Sequence, residues 1–379
     1  MRLGIDASNI RSGGGVTHLD ELLRAAEPQE FGFDQVIVWG CKSTLHVIED
    51  RPWLCKAHEP LLDRALPARL YWQRFILDRL AHSAGCTVLF VPGGSYGGAF
   101  KPFVTMSQNM LPFESCEAGR FGFSWPRLRY HLLRLLQSST FLRAQGVIFL
   151  SDYARKVVKG ALNGEVARDV VIPHGVDTRF LCQPRKQKDI SDYSPQNPFR
   201  ILYVSIVNLY KHQWNVAEAV SRLRRTDLPV EVDFVGPSSP RALRRLKAVM
   251  TNADSPGEYI HYTGAVPFDQ LHSTYHQADA FVFASSCENL PNILLEAMAA
   301  GLPIACSNQG PMPEILGDAG VYFNPEQPDE IAQALYSLVN DTSLRERCAW
   351  SAHEKAQQYS WSRCANETFD FLAQFDRRK

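Results

Sequence analysis

Residues 285–301 read Ser-Ser-Cys-Glu-Asn-Leu-Pro-Asn-Ile-Leu-Leu-Glu-Ala-Met-Ala-Ala-Gly. Two carboxylates, Glu288 and Glu296, stand with seven residues between them. Pro291 suits the first turn of a helix, where a missing N–H costs little, and Gly301 suits its C-cap. Glu288 therefore falls in the turn before a helix and Glu296 inside it. The free N–H groups and dipole at such a helix start favour a phosphate. Carboxylates beside a bound diphosphate would repel it. They fit hydroxyl recognition instead, one for a sugar and one for a ribose. A surface helix with two solvated acids is the plain alternative.

Other segments offer binding chemistry of a less specific kind. Gly13, Gly14 and Gly15 follow a predicted strand and precede a helix, so backbone there can approach a ligand closely. The run is not G-x-G-x-x-G, and no acidic residue is placed for a dinucleotide ribose. His18, one turn on, reads as a capping or packed histidine, with a position facing a cleft as the alternative. The segment Ser107 to Glu114 offers two amides, Gln108 and Asn109, neither of them a general base at neutral pH. His272 and His276 are four apart on a predicted helix but lack the Glu of H-E-x-x-H and a third ligand. No Asp-x-Asp motif is present, so no catalytic metal is expected. Ser151 lacks the elbow glycines of a hydrolase.

The elements that must position these residues follow a βαβ rhythm. Strands are predicted at Leu3–Ala7, Gln35–Trp39, Thr87–Val91, Phe103–Met106, Val147–Leu150 and Val170–Ile172. Helices are predicted between them at Val16–Ala26, Ala68–His82, Pro126–Ala144 and Asp152–Leu162. The polar, proline-bearing stretch Gln183 to Pro198 cannot bury much and reads as a linker. The rhythm then restarts, with strands at Ile201–Ser205, Val232–Val235, Tyr259–Tyr262, Ala280–Ala284 and Ile304–Cys306. Helices are predicted at Trp214–Leu223, Arg241–Met250, Phe268–Gln277, Asn292–Ala300, Asp329–Val339, Ser343–Tyr359 and Trp361–Phe375. The fold class is α/β: two Rossmann-like, doubly wound parallel-sheet domains facing a central cleft. In such sheets ligands bind outside the C-terminal ends of the strands. The first domain takes 1–183, a linker 184–198, and the second domain 199–360.

Bulk composition agrees with two globular domains. The chain has 379 residues, 45% hydrophobic and 21% charged. Forty basic and forty acidic residues cancel, which argues against a general nucleic-acid binder. Nine cysteines, none arranged as C-x-x-C, suggest reduced thiols and a cytoplasmic setting. Neither a signal peptide nor an apolar run of membrane-spanning length is expected.

The segment around Glu288 and Glu296 resembles the E-x7-E segment of retaining GT-B glycosyltransferases, the large family-4 group of nucleotide-sugar enzymes (glycosyl transferases group 1). The likeness continues through Pro303-Ile304-Ala305-Cys306-Ser307, Pro313-Glu314-Ile315 and Gly317-Asp318-Ala319-Gly320. It covers almost the whole chain and is stronger in the C-terminal half. It implies that Glu288 contacts hydroxyls of the transferred sugar and Glu296 the ribose. Asn289, Leu290, Pro291 and Asn292 would lie beside the phosphates and sugar. Lys211, after the strand Ile201–Ser205, would stand against the donor diphosphate, where a fixed ammonium stabilises the leaving group. Gly14 and Gly15 would lie under the donor phosphates and the acceptor. Ile148 to Ala154 and Val171 to Asp177 match the family too, Ser151 as an N-cap and Pro173–Asp177 as a structural turn. Trp361 resembles the family's tryptophan where the last helix, about 361–379, crosses back onto the first domain.

Two positions depart from the family. Its usual arginine falls where this chain reads Ser205, Ile206, Val207 and Asn208, leaving Asn208 and His212 as possible helpers. Its frequent histidine falls at Gln108 and Asn109, where an amide would position the sugar by hydrogen bonding. In the family, front-face transfer lets the leaving phosphate accept the acceptor's proton, so no protein base is required.

The resemblance implies transfer of a sugar from a UDP- or GDP-linked donor to a saccharide or lipid-linked saccharide. It points to bacterial surface polysaccharide or lipopolysaccharide assembly. The catalytic group would be Lys211, Glu288 and Asn109. The stretches Trp125 to Leu136 and Ala65 to Leu80 are basic and apolar together. They could rest on an anionic membrane at the inner face of the cytoplasmic membrane, or pack on the sheet with solvated arginines. A nucleotide-sugar epimerase and a non-catalytic nucleotide-sugar or glycan-binding protein of the same fold are the alternatives.

Overall fold

A computed structural model describes residues 1–254 and 257–376, and the chain forms two compact units. The first unit takes Met1–Ala118, Gly122–Gly175 and the described residues from Ser360 onward. The second takes Gly119–Phe121 and Val176–Tyr359.

The first unit is built on a seven-stranded sheet. Its strands are β1 (Arg2–Asp6), β2 (Gln35–Gly40), β3 (Leu54–His58), β4 (Val88–Val91), β5 (Phe103–Met106), β6 (Gly146–Phe149) and β7 (Asp169–Val171). They run parallel in the order β3-β2-β1-β4-β5-β6-β7. The central strands β4, β5 and β6 are buried throughout, as continuous apolar runs covered on both faces must be. The sequence gives no sign of β3. Leu54-Cys55-Lys56-Ala57-His58 is an edge strand, half exposed, with no apolar run to mark it.

Helices sit close to their expected places. Ser151 caps the helix Asp152–Ala161, its Oγ accepting from Ala154 N at 3.1 Å. The expected helix Ala68–His82 is two helices, Leu66–Phe75 and Leu77–Ser83, parted at Ile76. The last helix, Trp361–Ala373, lies in the first unit against the helix Gly14–Arg24. Trp361 seats it, with its ring 5.7 Å from that of His18 and 5.8 Å from that of His174. Gly175 admits that seat, since a Cβ there would stand 2.2 Å from the backbone N of Trp361.

The second unit carries β8 (Phe199–Val204), β9 (Val230–Val235), β10 (Ile260–Gly264), β11 (Ala280–Phe283), β12 (Ile304–Ser307) and β13 (Gly320–Phe323). All are parallel, ordered β10-β9-β8-β11-β12-β13. Strand β13, again an edge, is short and only partly buried, Gly320-Val321-Tyr322-Phe323, and was not foreseen from the sequence. Residues 184–198 belong to this unit and are fastened to it. Arg345, fully buried, donates to the side chain of Gln187 and the carbonyl of Lys188. The Tyr193 ring lies 5.3 Å from Phe199, and its hydroxyl donates to Asp279 at 3.1 Å.

Candidate active site

In a doubly wound sheet the ligand crevice opens where the strand order reverses. In the second unit that point lies between β8 and β11, because β8 leads outward to β9 and β11 begins the other half. Lys211 comes from the loop after β8 and Glu288 from the loop after β11. The two meet. Lys211 Nζ donates to Glu288 Oε1; Lys211 is buried at 4% exposure, and the Glu288 side chain is 15% exposed. Ser285 Oγ donates to the same carboxylate oxygen at 2.5 Å. Rings of Phe283 and Tyr210 lie 5.0 and 5.4 Å from the ammonium. Tyr203 Oη, from β8, donates to Lys211 O at 2.6 Å and fixes the loop from below. A buried ammonium and carboxylate are tolerable only as partners, since either alone would forfeit its hydration.

The helix Asn292–Ala299 begins beside this pair, with Pro291 at its N-cap and Asn289 and Leu290 buried in the preceding turn. Asn292 Oδ1 is buried with no hydrogen-bond donor among the described residues. Glu296, on the same helix, is 7% exposed, and Tyr275 Oη donates to its Oε2 at 2.8 Å. Burial pushes its carboxyl up to about 7, against the opposing hydrogen bond from Tyr275; Asp177 raises it and Arg179 lowers it. Glu296 therefore titrates near neutrality.

The loop after β8 is shaped by two further residues. Asn208 Oδ1 accepts from Leu209 N at 2.8 Å, and Asn208 O accepts from Lys211 N. His212 adopts the left-handed conformation, φ 50°, costly for a residue with a Cβ. Its Nε2 lies 3.0 Å from Ser286 Oγ, tying this loop to the one before Glu288. Ile206 is exposed at the end of β8.

The remaining predicted residues lie in the first unit. Gly14 opens the helix Gly14–Arg24, and a Cβ on it would meet nothing within 4 Å. Gly15 lies against Gln108, whose Oε1 would be 3.2 Å from a Cβ there. Asn109 Oδ1 accepts from Leu111 N at 3.1 Å, so its amide closes a local turn. His18 is fully buried, its ring 4.7 Å from that of His174, and is a packed histidine. Asp6, at the end of β1, was not singled out from the sequence. It accepts from Gln73 Nε2 at 2.5 Å and Ser8 N at 3.0 Å, while Gln73 Oε1 accepts from Gly97 N. It thereby joins the loops after β1 and β4. Tyr275 and Tyr203 were missed too, because only the folded chain brings them to Glu296 and Lys211. Among the described residues no group of three or more His, Cys, Asp or Glu is gathered as for a metal ion.

Residues 184–355, which contain Lys211, Glu288 and Glu296, match the model of glycosyl transferases group 1. Over that stretch the chain is similar to the glycosyl transferases group 1. An O-antigen chain mannosyltransferase B of Escherichia coli is 36% identical over 112 residues, 30% of this chain and 29% of that protein. A GDP-mannose-dependent phosphatidylinositol monomannoside mannosyltransferase of Mycobacterium tuberculosis is 29% identical over 241 residues, 60% of this chain and 61% of that protein. The matches span a quarter to a half of the first curated relatives, 29%, 25% and 50% of their lengths. Among solved structures, sucrose-phosphate synthase from Thermosynechococcus elongatus superposes with a TM-score of 0.77 at 15% identity, over 99% of this chain and 98% of that one. An Anabaena protein solved with UDP-glucose gives 0.71 at 16%, over 99% and 100%. The fold is thus the GT-B fold, two parallel-sheet α/β domains.

Proposed function

We propose that this protein is a retaining glycosyltransferase whose donor, a UDP- or GDP-linked sugar, binds the second unit. The observation that carries the reading is the buried Lys211–Glu288 pair at the sheet's switch point, beside the start of the helix Asn292–Ala299. In the unliganded protein the carboxylate holds the ammonium. A bound diphosphate takes over Lys211, and Glu288 is released to accept the hydroxyls of the sugar. Glu296 accepts from the ribose diol. The acceptor hydroxyl attacks the anomeric carbon on the face the diphosphate leaves. The carbon–phosphate oxygen bond breaks, the new glycosidic bond forms, and the acceptor's proton passes to the departing diphosphate. Lys211 stabilises the charge that gathers there, work worth about 3–4 kcal/mol for one well-placed donor. Asn109 would position the reacting sugar, and the Gly14–Gly15 loop would lie under the donor phosphates and the acceptor.

The acceptor is a saccharide or lipid-linked saccharide, and the process is surface polysaccharide or lipopolysaccharide assembly. The mannosyltransferase relatives support this reading. So does the helix Trp125–Arg143, which exposes Trp125, Leu128, Leu132, Leu135 and Leu136 among Arg127 and Arg129. Phe123 stands fully exposed just before it. That surface suits the inner face of an anionic membrane. No helix among the described residues is long and apolar enough to cross one.

The test is incubation with a panel of UDP- and GDP-sugars and free or polyprenyl-linked saccharides in EDTA, read by mass spectrometry. A new glycoside, formed without added metal, is the expected result. Ile206, exposed where an arginine is usual, favours a second reading as a nucleotide-sugar-binding protein. Donor binding without turnover across the panel would establish it. A donor altered in the absence of acceptor would instead indicate an epimerase.

A further inference from the structure

A second cavity of about 400 Å³ opens in the second unit. It lies at the same C-terminal edge of the sheet as Lys211, on the side of the helices Gln213–Arg224 and Pro240–Ala253. Leu209 and His212 line it from the loop after β8, Arg241 and Arg245 from the helix after β9, and Glu326 from beyond β13. Arg120, which is counted with this unit, completes it. Three guanidinium groups thus share the space with one carboxylate. Glu326 pairs with Arg120. Arg241 and Arg245 have no carboxylate partner among the described residues. The Arg245 guanidinium stands over the Trp214 ring, Cζ 4.0 Å from its centroid, a cation–π contact that holds it in place. Trp214, itself part of the wall, keeps its indole Nε1 buried without an acceptor.

We propose that this cavity is a second anion site, which takes a phosphorylated ligand of about sugar-phosphate size independently of the nucleotide diphosphate. Arginines present planar, multiple donors that match phosphate oxygens, and two of the three here have no carboxylate to hold among the described residues. The space is several times what one phosphate fills and falls in the usual range of small-molecule sites, roughly 300–1,000 Å³. Burial and the charge of Arg120 both push the Arg245 guanidinium down, a crowding of like charge that a bound anion relieves. The loop after β8 serves both sites, Lys211 facing Glu288 and His212 facing this cavity, so one loop links the two ligands. The inference extends beyond the transfer reaction and does not require it.

Isothermal titration of pyrophosphate and glucose 6-phosphate into the full chain, with and without saturating UDP and GDP, tests it. At least one probe is expected to bind with nucleotide present, and uncharged glucose is not. Arg241→Gln/Arg245→Gln is expected to weaken that binding tenfold or more while the melting temperature and nucleotide affinity stay unchanged. Absence of binding by both probes at millimolar concentration overturns the proposal. So does a double variant that binds them as the wild type does, or binding that nucleotide displaces competitively. Should neither nucleotide bind, the donor reading fails in that titration alone, and the arginine comparison still decides this site.

Discussion

At the scale of residues, the two glutamates of the opening segment have different environments and hence different chemistry. Glu288 is an ion-pair partner, whereas Glu296 is a buried acid held by the Tyr275 hydroxyl, and burial pushes its carboxyl up to about 7. A ribose diol donates to a carboxylate and favours its charged form, so nucleotide binding should expel a proton from Glu296. At pH 7 the enthalpy of nucleoside diphosphate binding should vary with the ionisation enthalpy of the buffer, and Glu296→Gln should abolish that variation and weaken binding. Buffer-independent enthalpy in the wild type would remove Glu296 from the ribose. The spacing of these acids was legible in sequence because the helix signals around them are local. Their partners were not, because Tyr275 and Lys211 reach them only through the folded sheet.

At the scale of elements, central strands and capped helices were legible, and of the four edge strands β7 and β10 were foreseen while β3 and β13 were not. Strands β3 and β13 lack the buried apolar run that marks a central parallel strand. The segment 184–198 looked free because its fastening comes from Arg345, far along the chain. The seat of the last helix shows how an element's docking can depend on pH. Burial pushes His18 down to about 4, and it pushes His174 down as well. Among the described residues neither ring nitrogen of His18 has a hydrogen-bond partner. Between pH 6.5 and about 4 the unfolded chain takes up a proton that folded His18 refuses, so stability must fall as pH falls through that window. For His18 alone the loss is on the order of 3 kcal/mol. His18→Leu should flatten the decline of the denaturation midpoint over that range, provided Leu fills the ring's place. An equally steep decline in the variant would assign the acid sensitivity elsewhere.

At the scale of the molecule, each sheet supplies a switch point, and the loops around it carry the residues that sequence reading had marked as chemical. In the second unit these are Lys211 and Glu288; in the first they are the Gly14–Gly15 loop and, unforeseen, Asp6. The exposed basic and apolar helix Trp125–Arg143 makes a claim about location. The chain should float with vesicles rich in phosphatidylglycerol and not with phosphatidylcholine alone, and Trp125→Ser/Leu132→Ser should leave it in solution. Equal recovery with both vesicles would place that helix against something other than a membrane. The account as a whole rests on the switch-point pair as the seat of the diphosphate. Titration of UDP and GDP in EDTA into wild type and Lys211→Met measures this most directly. The nucleotide that binds should lose at least about 30-fold in affinity, the cost of removing one partner of a buried charge contact. Equal affinity in the two proteins would contradict the account.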